Sequence, residues 1–173
     1  MMASVKLELA ARAHEATLQN LFQLYTHDFS DFWVGTPRGD VGEDGRFPPY
    51  SHLASYWLEE TRVPLLLRVE GHIAGFALLN RVGRLDRDLD RNMAEFFILR
   101  KYRRSGVGAA AVDAIFRRYP GIWEAAVARR NTPALGFWRK VIRTHPLVSE
   151  LEEADLNNDV WNGPVLRYRV GSA

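Results

Sequence analysis

Residues 95–116, EFFILRKYRRSGVGAAAVDAIF, join a run of apolar strand formers to an alanine-rich helical run through a basic loop with two glycines. A chain that feeds a strand into a helix in this way must pack helices on a sheet, which points to an α/β domain. The glycines permit positive φ and close approach of a ligand to the backbone. Free N–H groups and the dipole at the start of the following helix suit an anion. Glycines alone fit a bare structural turn equally well, so neighbouring segments have to decide.

Those segments read as follows. VKLELA (Val5 to Ala10) alternates as a first strand, and Leu18, Leu21, Phe22, Leu24 and Tyr25 recur at helical spacing from Ala13 to about Phe29. Residues Asp31 to Pro49 are rich in Gly, Pro and Asp and form a long loop of the kind that carries binding function. A short helix is expected from Tyr50 to about Glu60. VPLLLRVE and IAGFALLN make a strand pair around Gly71 and His72, and RVGRLDRDLDR reads as a solvated, charge-mixed loop. NMAEFFIL is the next strand, and the helix after the glycine loop ends at Pro120 and Gly121. IWEAAVA is a strand, NTPALGFWRKV a helix with Asn131 as N-cap and Pro133 in its first turn, and PLVSELEE and GPVLRYRV two closing strands.

A length of 173 residues without repeat or linker fits one domain, residues 1–173. The closing strands leave an edge that allows a homodimer. The net charge of +2 is small, and the cations are arginines apart from Lys6, Lys101 and Lys140. Arginine suits forked contacts to phosphate or carboxylate, so its clustering matters more than its count. There are no cysteines, which removes disulfides, Cys-based metal sites and a thiol nucleophile. His27, Asp28 and Asp31 lack metal-ligand spacing, and no metal is expected. The N-terminal MMASVKLELA lacks the pattern of a secretory leader, and no apolar stretch reaches membrane-span length. A cytoplasmic protein without a membrane partner is the expectation.

Two nucleotide loops compete for the glycines. A triphosphate-binding loop needs Lys and then Ser or Thr after its second glycine, whereas Gly108 is followed by three alanines. The dinucleotide fingerprint matches GVGAAA, but six residues, Arg100 to Ser105, separate its glycine from the strand, and Glu124 sits near the start of the following strand rather than its end.

A third pattern fits more of the chain. FFILRKYRRSGVGAAAVDAIF resembles the acetyl-CoA-binding motif of the GNAT N-acyltransferase superfamily through Arg103, Gly106 and Gly108, with Tyr102 ahead of them. NTPALGFWRK resembles that family's second conserved segment through Asn131, Ala134, Phe137 and Lys140. The motif spacing and the order of elements along the whole chain also agree. The resemblance implies an α/β (α+β) GNAT fold: a mixed, mostly antiparallel sheet of about six to seven strands with a splayed parallel pair, flanked by about four helices.

It further implies acetyl transfer from acetyl-CoA, as co-substrate, to the primary amine of a small acceptor by direct attack. Backbone groups at Ile98 and Leu99 would hold the pantetheine, and Arg103, Arg104, Ser105, Gly106, Val107 and Gly108 the pyrophosphate. Asn131 and Phe137 would line the far side of the wedge, with plain core packing the other reading of Phe137. The Leu99 N–H would stabilise the oxyanion. Glu95, a carboxylate among apolar neighbours, would be the general base, unless it is exposed at an edge or paired with arginine. Alternation places Glu95, Phe97 and Leu99 on one face and Phe96 and Ile98 on the other.

Trp138 stands where many relatives place a tyrosine acid, and an indole N–H does not transfer protons at useful pH. The protonation of the thiolate then falls to another group or water, or needs no acid. That residue also admits a non-catalytic CoA-binding or regulatory domain of the same fold. Asp28, Asp31, Trp33 and Tyr50 are the candidate acceptor contacts, because acids with aromatics suit a cationic amine. A nucleic-acid binder needs a basic stripe on one helix, and here acids are scattered among the arginines.

Overall fold

The computed structural model describes residues 4–173, so the first three residues of the stretch read for a leader lie outside it. The apolar runs form one seven-stranded sheet: β1 (Lys6–Leu9), β2 (Val63–Val69), β3 (His72–Asn80), β4 (Arg91–Ile98), β5 (Gly121–Ala126), β6 (Val148–Asn157) and β7 (Asn162–Val170). Their order is β1-β2-β3-β4-β5-β7-β6, and every neighbouring pair is antiparallel except β4 and β5. Strands β2 and β3 are buried over most of their length because helices cover both faces.

Three α-helices cover them: α1 (Glu15–Ser30), α2 (Val107–Arg118) and α3 (Thr132–Thr144). On one face, Leu18, Leu21 and Phe22 of α1 pack against Leu66, Phe76, Leu78 and Phe97. On the other, α2 and α3 bury Val112, Ile115, Trp138 and Ile142 against Leu65, Ala77, Met93 and Trp123.

The expected fourth helix is a five-residue 3-10 turn, Leu53–Trp57. Its buried side chains are Leu53 and Tyr56, three residues apart, and a 3-10 turn places such a pair on one face without a longer helix. Trp57 ties the turn down by donating its indole N–H to the Ala10 carbonyl at 2.8 Å.

The long loop before this turn is fastened to α1 by two glutamines one helical turn apart. Gln23 exchanges a pair of hydrogen bonds with the backbone of Phe47 (2.8 and 3.0 Å), and Gln19 does the same with Tyr50 (3.1 and 3.2 Å). The closing strands both join the sheet within the chain, β7 beside β5 and β6 at the edge. The β6 acids are paired with arginines, among them Glu152 with Arg87 at 2.8 Å and Asp155 with Arg129 at 2.7 Å. A charged edge of this kind resists adding further strands.

Candidate active site

Strands β4 and β5 are paired at only two positions, Arg91 with Trp123 and Asn92 with Glu124. Beyond them β4 continues along β3, and β5 continues along β7. The two strands therefore part, and a cleft of about 980 Å³ opens between Met93–Phe96 on one side and Ala125–Ala128 on the other. At the same height, β4 carries an extra residue against β3. Leu78 faces Glu95 while Leu79 faces Met93, so Ala94 bulges. Without that bulge Met93 and Glu95 would share a face. With it, Met93 packs in the core under α2 and α3, and Glu95 turns toward α1.

The expected alternation of Glu95, Phe97 and Leu99 against Phe96 and Ile98 holds from the bulge onward. Phe97 and Leu99 pack with the α1 core, and Phe96 and Ile98 with the other. The Leu99 N–H, however, donates to the Ala74 carbonyl at 2.8 Å and is committed to the sheet. Backbone polar groups alternate in direction along such a ladder. Those of Phe97 and Glu95 thus also face β3, and those of Phe96 and Ile98 face the gap that β5 has left. The Ile98 carbonyl is met there by Arg103 Nε at 2.7 Å.

Glu95 sits at the head of the gap. The Tyr25 hydroxyl donates to its Oε2 at 2.8 Å. Burial pushes its pKa up to about 7, against the hydrogen bonds of Tyr25 and Tyr50 and the charge of Arg84, which favour ionisation. The same burial, with the adjacent carboxylate, drives the Tyr25 hydroxyl well above its ordinary range. Glu95 is neither at an edge nor bonded to an arginine; its partners are phenols.

Aromatic side chains form the wall opposite. Phe22, Tyr25 and Phe29 lie on one face of α1, and Trp33 continues that face beyond the helix end. Tyr50 stacks on Phe22 with ring centres 4.3 Å apart, and Trp33 lies 5.8 Å from Phe29. Of the four residues expected to meet the acceptor, Trp33 and Tyr50 line the cleft, whereas Asp28 and Asp31 do not. Asp31 is exposed to solvent. Asp28 is bound by Arg100 at 2.8 Å and by Arg103. Burial opposes its ionisation, but the hydrogen bonds and charges of Arg103 and Arg100 outweigh that and hold its carboxyl below the usual range.

This ion pair changes the reading of the glycine loop. The Arg103 side chain turns inward to Asp28 and the Ile98 carbonyl, so it fastens the loop to α1 instead of reaching outward. Arg104 and Gly106 both have left-handed backbone, φ 59° and 82°, and Arg104 is exposed. A glycine meets that demand at Gly106 without strain. The Ser105 hydroxyl donates to the Tyr102 carbonyl at 2.8 Å. No side chain caps α2, and its first backbone bond runs from the Ala110 N–H to the Gly106 carbonyl. The N–H groups of Val107, Gly108 and Ala109 are left facing outward at the positive end of the helix, a fitting cradle for phosphate oxygens.

At Gly108 the reason for glycine is different. A Cβ there would stand 3.2 Å from the Phe137 ring. Phe137 packs between this glycine and Phe96, whose ring lies 5.9 Å away, so it belongs to the core side of the wedge. Asn131 lines the cleft and caps α3 by accepting from the Ala134 N–H at 3.2 Å. Trp138 is 7% exposed, meets Phe96 edge-on at 5.1 Å and reaches the cleft wall. Arg84, read in the sequence as part of a solvated loop, also lines the cleft, and so does Trp161, which has no role in the sequence reading. Among the described residues no group of three His, Asp or Glu gathers as a metal site. None of the helices described is long and apolar enough to cross a membrane.

The family model described as "Acetyltransferase (GNAT) family" matches residues 18–142. The chain belongs to that family, and so to the acetyl-CoA-dependent N-acetyltransferases. An acetyltransferase from Thermus thermophilus is similar over 98% of this chain and 99% of its own, at 14% identity and a TM-score of 0.67. An aminoglycoside acetyltransferase in complex with coenzyme A is similar over 96% and 95%, at 15% identity and 0.63. The spermidine N-acetyltransferase of Vibrio cholerae, in complex with CoA and spermine, is similar over 96% and 95%, at 11% identity and 0.60. At these identities the likeness is one of fold. A sequence search of curated proteins finds no match.

Proposed function

We propose that the protein transfers an acetyl group from acetyl-CoA to the primary amine of a small acceptor by direct attack, with Glu95 as the general base. The observation that carries this reading is a carboxyl group with a pKa of about 7, held by Tyr25 at the point where β4 and β5 part. A base poised near neutrality can take a proton from an ammonium and still be ionised in the resting enzyme.

Acetyl-CoA supplies the acyl group as an activated thioester. The first-turn amides of α2, with Ser105 and Gly106, would hold its pyrophosphate, and Arg104 would add charge from the exposed side of the loop. The backbone groups of Phe96 and of Ile98, which face the gap, would bind the pantetheine. Their N–H groups also replace that of Leu99 as donors to the acyl oxygen when negative charge develops on it. The amine nitrogen forms its bond to the carbonyl carbon, the carbon–sulfur bond breaks, and the amine's proton passes to Glu95. Trp138 shapes the cleft wall and transfers no proton; the thiolate leaves as such or is protonated by solvent.

Acetyl-CoA should raise the melting temperature by mass action. Gly106→Val forces a branched side chain into left-handed backbone and should abolish most of that shift while the protein stays folded. An undiminished shift in a thermal melt of the variant would remove the loop from the site.

A further inference from the structure

The chain carries a net charge of only +2, yet the cleft collects arginines. Arg38, Arg84, Arg129 and Arg130 line it, against Glu95 and Asp159. Arg129 is taken up by Asp155 at 2.7 Å and by Asn162. The other three have no carboxylate within ion-pair distance among the described residues. Arg84 lies over the Trp161 ring at 4.9 Å and Arg38 over the Trp33 ring at 5.2 Å. Arg130 reaches across to the Phe32 carbonyl at 3.1 Å. A guanidinium laid on an aromatic face keeps its fork of donors free for a carboxylate or phosphate.

Arg84 is the best fixed of the three. Its backbone N–H donates to Glu124 Oε2 at 2.7 Å, and Arg167 holds the other oxygen at 3.1 Å. Glu124 is fully buried, so the partly exposed loop that carries Arg84 is pinned at this residue. The Arg84 charge also acts on Glu95, which places cation and base in one chamber. None of the residues 103–109 lines this cleft, so these arginines are separate from the phosphate loop.

We propose that the acceptor is a primary amine that also carries an oxyanion, a carboxylate or a phosphate, received by Arg84 with Arg38 and Arg130 around it. Its apolar or aromatic body would lie against Trp33, Tyr50 and Trp161. This inference rests on the acetyl-transfer reading and narrows its acceptor. Nearby fixed cations lower the pKa of the acceptor ammonium, which eases the removal of its proton. A polyamine brings several positive charges and no oxyanion, and the same arginines repel it.

The test is calorimetric titration of the CoA-bound protein with matched pairs: L-phenylalanine and L-leucine against their amides, 2-aminoethyl phosphate against ethanolamine, and spermidine as the polyamine. At least one anionic member should bind tenfold or more tightly than its neutral partner, and the pair that shows this tells carboxylate from phosphate. Arg84→Gln should erase the difference and leave CoA affinity within about twofold, while Arg84→Lys, which keeps the charge, should retain part of it. The inference is overturned if no anionic member outbinds its partner, if spermidine binds tightest, or if Arg84→Gln weakens CoA as much as the acceptor. Binding is read here without turnover. Amine-dependent acetyl transfer with no anionic preference therefore removes this inference alone, whereas a wild-type protein that binds no CoA removes both.

Discussion

Glu95→Gln is expected to lower kcat by about 10²- to 10⁴-fold at pH 8, the usual contribution of a positioned base, with acetyl-CoA affinity within twofold. In the wild type the rate should rise as pH climbs toward about 7 and level off above it, because only the ionised carboxylate accepts a proton. The glutamine variant should lack that limb. Its effect on stability should run the other way. The fold raises this group from 4.5 to about 7, so the fold favours the protonated acid. That preference contributes fully below about 4.5 and is lost as pH rises through about 7. Above it, the ionised group costs the fold on the order of 3 kcal/mol. The variant should melt higher than wild type by roughly 6–12 °C at pH 8, and this advantage should vanish near pH 4. A pH-rate profile and melts at the two pH values read both signs.

Glu124→Ala should be the most destabilising single change near the cleft. Glu124 is fully buried and Arg167 is 8% exposed, so removing the carboxylate leaves a buried guanidinium without its counter-ion. Breaking such a pair costs about 3–5 kcal/mol, a fall of on the order of 10 °C in the melt. Replacing both residues together by apolar ones, Glu124→Leu with Arg167→Met, should recover much of the stability, because no uncompensated charge remains. It should not recover acceptor binding, since the Arg84 N–H still lacks its anchor. Denaturant melts paired with acceptor titrations separate the two roles.

Much of this was legible in the chain. The two glycine positions, the Asn131 cap and the order of strands follow local rules of backbone freedom, capping and periodicity, and so can be read without a fold. Glu95 stood out because an acid among apolar residues requires a partner. Long-range geometry was not legible. The bulge at Ala94 depends on how β4 meets β3, so strand alternation extends through EFFIL but not back to Met93. Asp28 and Arg103 are 75 residues apart in sequence, and nothing local marks them as partners. Arg84 lies in a loop whose composition reads as solvated, and only the buried Glu124 turns that position toward the cleft. The short helix expected at Tyr50 to Glu60 fell back to a 3-10 turn because its buried side chains needed only one turn to meet the core.

We propose a splayed-strand cleft, with Glu95 at its head, that runs amine acetylation from acetyl-CoA. It is tested most directly by following free thiol and acetylated amine together, in the same mixture, across an amine panel from pH 5.5 to 8.5. The expected result is thiol release that requires an amine, matches the acetylated product one to one and rises through about pH 7 in wild type but not in Glu95→Gln. Thiol release independent of amine, or equal rates in wild type and Glu95→Gln, would contradict it.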